Sequence, residues 1–132
     1  CGQLSKLANQ VIVAITIGAV SEALILAGGG GADRAQVREA LQGGFASSRI
    51  LSEHGHRMVQ RHFEPGGPAK FQVKDLKNAL AAAERLGLDL PITRLTNELF
   101  TAMVASGKGD MDHSGLLTHL EAINGLEEEK DA

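Results

Sequence analysis

Apolar residues recur along this chain at helical spacing, and they are densest near its start. From Val11 to Ala27 only Thr16, Ser21 and Glu22 interrupt the apolar run. A helix that is hydrophobic on nearly every side is one enclosed by protein or lipid. The residues ahead of the run differ in kind. At ~100° of rotation per residue, Gly2, Lys6, Asn9 and Val13 fall within roughly a 60° arc, with Gln10 at its edge. The pattern predicts one helix over 2–27, about 39 Å long at ~1.5 Å per residue, chemically equipped at its start. That is more apolar length than so short a chain can wrap, so something else is expected to pack on it.

Shorter amphipathic segments follow. The glycine run Gly28 to Gly31 ends the first helix, because glycine takes the left-handed cap without strain. Asp33 is placed to N-cap a second helix, with Gln36 as its capping-box partner and Ala35, Val37, Ala40 and Leu41 inward, up to the Gly43-Gly44 stop. Ser47 or Ser48 caps a third, running through Ile50, Leu51, Met58 and Val59 to about His62. The stretch 64–70, rich in Pro and Gly, is the most loop-like segment. Beyond it Leu76, Ala79, Leu80, Ala83 and Leu86 predict a fourth helix, stopped at Gly87. Pro91 suits the first turn of a fifth, with Ile92, Leu95, Leu99, Phe100 and Met103 buried. Asp112 caps a sixth, with Leu116, Leu117, Leu120 and Ile123 inward. No convincing strand and no internal repeat is present. The expectation is an all-α bundle of about six helices over 1–126, one of them very long, and a frayed tail over 127–132.

Composition narrows the function classes. With 132 residues, 43 % of them hydrophobic, the chain is the size of one domain with an ample core. Net charge of −3, four Phe and no Tyr or Trp argue against nucleic-acid binding, which needs a basic field or stacking platforms. The single Cys1 cannot form an internal disulfide, which points to a reducing, cytoplasmic setting. No membrane span is expected, because Glu22 lies inside an apolar run that is already short of the ~20 residues a bilayer requires.

Three motifs invite chemistry and then lose it. The four glycines lack the preceding strand and following Lys-Ser or Lys-Thr of a phosphate loop. His54 and His56, two apart, point to different helix faces and read as solvated, with no metal expected. Asp110 to Glu121 fits the spacing of an EF-hand calcium loop, with Asp112 and Ser114 as further ligands and Gly115 at the turn. Against calcium, the entering helix is broken at Ser106-Gly-Lys-Gly109, and Asp112 and Ser114 serve equally as N-terminal caps, with Glu121 on the helix surface.

Several separated segments together resemble one family. Gly2-Gln-Leu-Ser-Lys6-Leu-Ala-Asn9-Gln10 is similar to the G-x-x-x-K-x-x-N-[NQ] signature of the β-hydroxyacid dehydrogenases. Leu41-Gln-Gly-Gly44-Phe-Ala-Ser-Ser48, Phe71-Gln-Val-Lys74-Asp75-Leu76, Leu90-Pro91 and Asp112-His-Ser114 fall where further landmarks of that family fall. The segment 6–14 and the Gly43-Gly44 pair look most like the branch that reduces 2-hydroxy-3-oxopropionate (tartronate semialdehyde) to glycerate. The 3-hydroxyisobutyrate branch is the alternative, since its members more usually carry Asn-Asn at 9–10.

The resemblance implies a helical C-terminal domain of the 6-phosphogluconate dehydrogenase type, whose partner is an N-terminal Rossmann domain that this sequence does not contain. It implies that NAD or NADP is held mainly by that other domain, and that copies associate as a homodimer or homotetramer. It places Lys6 as the catalytic acid and base, Gly2, Asn9 and Gln10 at a small hydroxyacid or semialdehyde substrate, and Lys74 with Phe71 beside the cofactor. The chemistry suits the residues. Hydride transfer to an aldehyde leaves an alkoxide that must take a proton, and a nearby ammonium lowers that barrier. A rival reading is a helical association module without catalysis, including a calcium-binding version over 110–121. Lys6 with Asn9 on one face is a pairing that such a module does not need.

Overall fold

The computed structural model describes residues 2–126, so the tail expected over 127–132 lies outside the described residues. Six α-helices make up the described chain, with no strand among them: α1 (Gly2–Gly29), α2 (Arg34–Leu41), α3 (Arg49–Gln60), α4 (Ala69–Arg85), α5 (Pro91–Met103) and α6 (Leu116–Ile123). A π-helical turn over Val104–Lys108 closes α5, and a short 3₁₀ turn over His113–Gly115 leads into α6.

The long first helix is the spine. Ala14, Ile17, Val20, Ser21 and Leu24 form its buried stripe, and α3, α4, α5 and α6 all pack against it. Ile17, Leu24, Met58, Leu76, Phe100, Met103, Leu116 and Leu117 close the core between them. Ser21 tolerates this position because its hydroxyl donates back to the Ile17 carbonyl at 2.8 Å. By length and composition alone α1 could cross a bilayer, yet one stripe of it is the centre of the bundle. Its other sides are open, with Ile12 64 % and Leu26 79 % exposed.

Helix ends follow the caps that the sequence offers. Asp33 accepts from the N–H groups of Ala35 and Gln36, and Ser48 accepts from Leu51 N–H at 2.9 Å. Arg61 ends α3 in the left-handed region (φ 56°), which costs a side-chain-bearing residue energy. Its guanidinium meets the Glu121 carboxylate with two hydrogen bonds, 2.8 and 3.2 Å, and this paired contact holds the strained turn in place.

Four expectations change. The fourth helix starts at Ala69, directly after Pro68, so Phe71, Lys74 and Asp75 belong to the helix proper. In α2 Val37 and Leu41 are only half-buried, while Ala35 and Ala40 are exposed. In α5 Phe100 and Met103 are buried as expected, but Ile92 and Leu95 are 63 % and 57 % exposed while Thr93 and Thr96 face inward. Thr96 can do so because its hydroxyl donates to the Ile92 carbonyl, leaving a methyl group to pack. Ile123, at the last turn of α6, is exposed as well.

Candidate active site at the α1 and α4 seam

α1 and α4 pack antiparallel, and their polar residues meet at one point. Gln10 on α1 donates from Nε2 to Asp75 Oδ2 on α4 at 2.6 Å, and Asn9 donates from Nδ2 to Gln10 Oε1 at 3.1 Å. Lys6 lies three residues before Asn9 and four before Gln10, so all three share a face of α1. Lys74 occupies the same turn of α4 as Asp75, with Phe71 one turn earlier. Lys6, Asn9, Phe71 and Lys74 are all exposed, whereas Gln10 and Asp75 are half-buried. Lys6 and Lys74 have no hydrogen-bond or ion-pair partner among the described residues. Gly2 opens α1 with nothing of the chain within 4 Å of where a Cβ would stand. Two cationic side chains, Lys6 a turn before Gln10 and Lys74 next to Asp75, are thus donors suited to an oxygen-rich anionic ligand, while the open Asn9 carbonyl is an acceptor.

A second polar cluster fixes where α4 begins. Asp112, fully buried, accepts from the N–H groups of Gly66 and Gly67 at 2.9 Å each and from Ser114 N–H at 3.0 Å and Ser114 Oγ–H at 2.5 Å. Burial alone would push its carboxyl up, but these hydrogen bonds outweigh it and bring the pKa down to about 2. Around this knot the backbone is stitched in order: Asp112 N–H to Phe63 carbonyl, His113 N–H to Gly67, Ala69 N–H to Met111 and Lys70 N–H to Gly109. The last two satisfy donors in the first turn of α4, which would otherwise be orphaned. Lys70 also pairs with Asp110 at 2.7 Å and lies 5.7 Å over the Phe71 ring. The turn carrying Phe71 and Lys74 is therefore held by 109–112.

The histidines join this knot. His54 is not a solvated surface residue: it stacks edge-on against His113 at 4.8 Å, and His113 Nδ1 lies 2.9 Å from Gln72 Oε1, so the two side chains share a hydrogen bond. Burial lowers the pKa of both rings. His54, Asp112 and His113 bring ligand atoms within 4.8 Å of one another, as a metal site would. The chemistry of the donors does not fit a cation there. Asp112 already accepts four hydrogen bonds, and the Arg57 guanidinium stands 3.8 Å from its Oδ2.

The EF-hand spacing is likewise accounted for by other contacts. Asp110 pairs with Lys70, Asp112 is enclosed in the knot, and Glu121, expected on the surface, is buried between Arg34 at 2.8 Å and Arg61 at 2.8 Å. The two arginines lower its pKa against the opposing effect of burial. Gly115 is glycine because an added Cβ would overlap Met111 Sδ.

From the sequence alone Asp75 is a residue near the start of a helix, where a carboxylate serves equally as a cap. With α4 starting at Ala69, Asp75 lies too deep in the helix to cap it and reaches across to Gln10 instead. The usable signal was Pro68, which suits the residue just before a helix and moves the start back.

Comparison with known proteins fits this geometry. A family model described as the NAD-binding of NADP-dependent 3-hydroxyisobutyrate dehydrogenase matches residues 1–120. The chain belongs to this family. Its relatives include the 2-hydroxy-3-oxopropionate reductase of Escherichia coli (strain K12), 52 % identical over 92 % of this chain and 42 % of the relative. A mitochondrial 3-hydroxyisobutyrate dehydrogenase-like protein of Arabidopsis thaliana is 38 % identical over 95 % of this chain and 37 % of its own length. The chain thus spans about two-fifths of the relatives it matches. The fold recurs in the crystal structure of 3-hydroxyisobutyrate dehydrogenase from Salmonella typhimurium, with a TM-score of 0.82 at 23 % identity over 86 % of this chain and 40 % of that one.

Proposed function

We propose that this chain is the helical half of an NAD(P)-dependent oxidoreductase that interconverts a β-hydroxyacid and its semialdehyde, with 2-hydroxy-3-oxopropionate as the favoured substrate. The observation that carries the reading is the Gln10 to Asp75 hydrogen bond. It draws the Lys6 and Asn9 face of α1 to the Lys74 turn of α4, in a chain 52 % identical to a reductase of that substrate.

In this reading Lys6 donates a proton from Nζ to the aldehyde oxygen as that oxygen becomes an alkoxide, and its neutral form removes the hydroxyl proton in the reverse direction. The nicotinamide supplies the hydride when bound, and most of its binding falls to the Rossmann domain. Asn9 holds the reacting end of the substrate. Gly2, with no side chain, leaves room for that substrate at the start of α1. Lys74 and Phe71 would hold the cofactor from this side, the exposed cation supplying a charge for its phosphates and the ring an apolar surface. The donor set fits such a ligand, because both lysines lack a carboxylate partner.

Association belongs to the same proposal. Ile12, Leu26, Ile92 and Leu95 leave apolar surface on α1 and α5 uncovered, as expected of a domain that meets a second copy of itself in a homodimer or homotetramer. The reducing setting suggested by Cys1 agrees with a cytoplasmic enzyme.

The test is an assay of the full-length protein for 2-hydroxy-3-oxopropionate-dependent oxidation of NADH and NADPH. Turnover on this substrate well above that on the 3-hydroxyisobutyrate semialdehyde supports the reading. The reverse preference favours the 3-hydroxyisobutyrate branch, and no turnover with either rejects it.

A further inference from the structure

We propose that Asp75 is a positioning residue that fixes the polarity of the Gln10 and Asn9 amides, so that Asn9 presents its carbonyl oxygen, and not its NH₂, to Lys6. This rests on the reading of Lys6 as the proton donor and adds what sets the donor's environment.

The argument is one of donors and acceptors. A carboxylate only accepts hydrogen bonds, so the Gln10 amide must turn its NH₂ toward Asp75, as it does at 2.6 Å. That orientation leaves Gln10 Oε1 on the far side, where only a donor can meet it. Asn9 meets it with Nδ2 at 3.1 Å. The Asn9 carbonyl is then the end left outward, with no partner among the described residues. Lys6, one turn earlier on the same face, is a pure donor. Each amide alone could rotate either way, but a fixed acceptor at one end removes that choice from both.

The consequence for chemistry is specific. A carbonyl oxygen turned toward Lys6 offers the ammonium an acceptor for one hydrogen and leaves the others for the substrate oxygen, whereas an NH₂ in the same place would repel it. Asp75 reaches Lys6 only through two amides, so it acts without touching substrate.

The experiment compares Asp75→Leu and Gln10→Leu in the full-length protein, following kcat and KM for semialdehyde reduction. Both variants are expected to lower kcat about tenfold, the scale of one charge-assisted hydrogen bond, with KM changed less. Gln10→Leu is decisive, because it breaks the relay while the Asp75 charge remains. A lowered kcat in Asp75→Leu with an unchanged one in Gln10→Leu would assign the effect to charge alone and overturn the relay, as would an unchanged kcat in both or a loss confined to KM. Lys6→Ala separates the two levels: near-normal turnover there rejects Lys6 as proton donor whatever the relay variants do.

Discussion

Two polar clusters lie along α4, and they are built on opposite principles. At its start, the Asp112 knot is buried and saturated: one carboxylate takes four hydrogen bonds from Gly66, Gly67 and Ser114, and the rings of His54 and His113 seal it. Two turns on, the seam around Gln10 and Asp75 is bordered by exposed lysines and an amide whose carbonyl has no partner. In the first cluster the carboxylate is fully used to stitch the chain, with only His54 Nδ1 and Gln72 Nε2 left over beside it among the described residues. In the second, capacity is left over. Buried polar groups that are fully paired specify a structure, whereas exposed ones held in place but unpaired are available to a ligand. The knot also serves the seam, since it fixes the turn that carries Phe71 and Lys74.

The contrast can be broken from either side. The largest effect is expected from Asp112→Ala, which leaves three backbone N–H groups and a hydroxyl without their acceptor. It should destabilise the chain by about 3–5 kcal/mol in urea unfolding. A loss under about 1 kcal/mol would mean that the knot is not the clamp described. Glu121→Gln, which weakens the pair with Arg34 and Arg61, should cost about 2–3 kcal/mol, with part of each arginine still reached by water.

Acid should dismantle the knot in two stages. Burial depresses the pKa of His54 and His113 below 6.5, so their unfolded forms bind protons first. Their contribution is complete above that value and is lost as pH falls through the lower folded values. Asp112 is depressed from 3.8 to about 2, so its contribution is complete above pH 3.8 and disappears as pH falls through about 2. That second stage is worth about 2 kcal/mol. Unfolding midpoints measured from pH 8 to pH 2 should fall in both windows, and Asp112→Asn should remove the lower one.

The smallest effect on stability belongs to the seam. Lys74→Ala should leave the unfolding free energy within about 0.5 kcal/mol of the parent while raising KM for the nicotinamide cofactor in the full-length protein. A large stability loss without a change in KM would make Lys74 part of the scaffold instead.

Most of the helices could be read in the sequence because their caps and periods are local: Asp33, Ser48 and Pro91 begin helices where expected. What stayed hidden depended on distant partners. Nothing near His54 in sequence announces that Asp112 and His113 lie beside it, and nothing near Glu121 announces Arg34 and Arg61. The inward face of α5 was misjudged because hydrophobic spacing alone does not register that Thr96 can bury by bonding back to the Ile92 carbonyl, that Thr93 turns inward with it, or that Ile92 and Leu95 can be left outward. Lys6, Asn9 and Lys74 were singled out by resemblance to a family's landmarks, while the bond that joins their helices depends on how α1 meets α4.

The central claim is that Lys6 spends its charge on chemistry and not on the fold. Lys6→Ala in the full-length protein, with turnover and urea unfolding measured on the same preparation, tests it directly. The account predicts a fall in kcat of at least ~10²-fold with an unchanged unfolding midpoint. Near-normal turnover, or a loss of activity matched by a loss of stability, would contradict it.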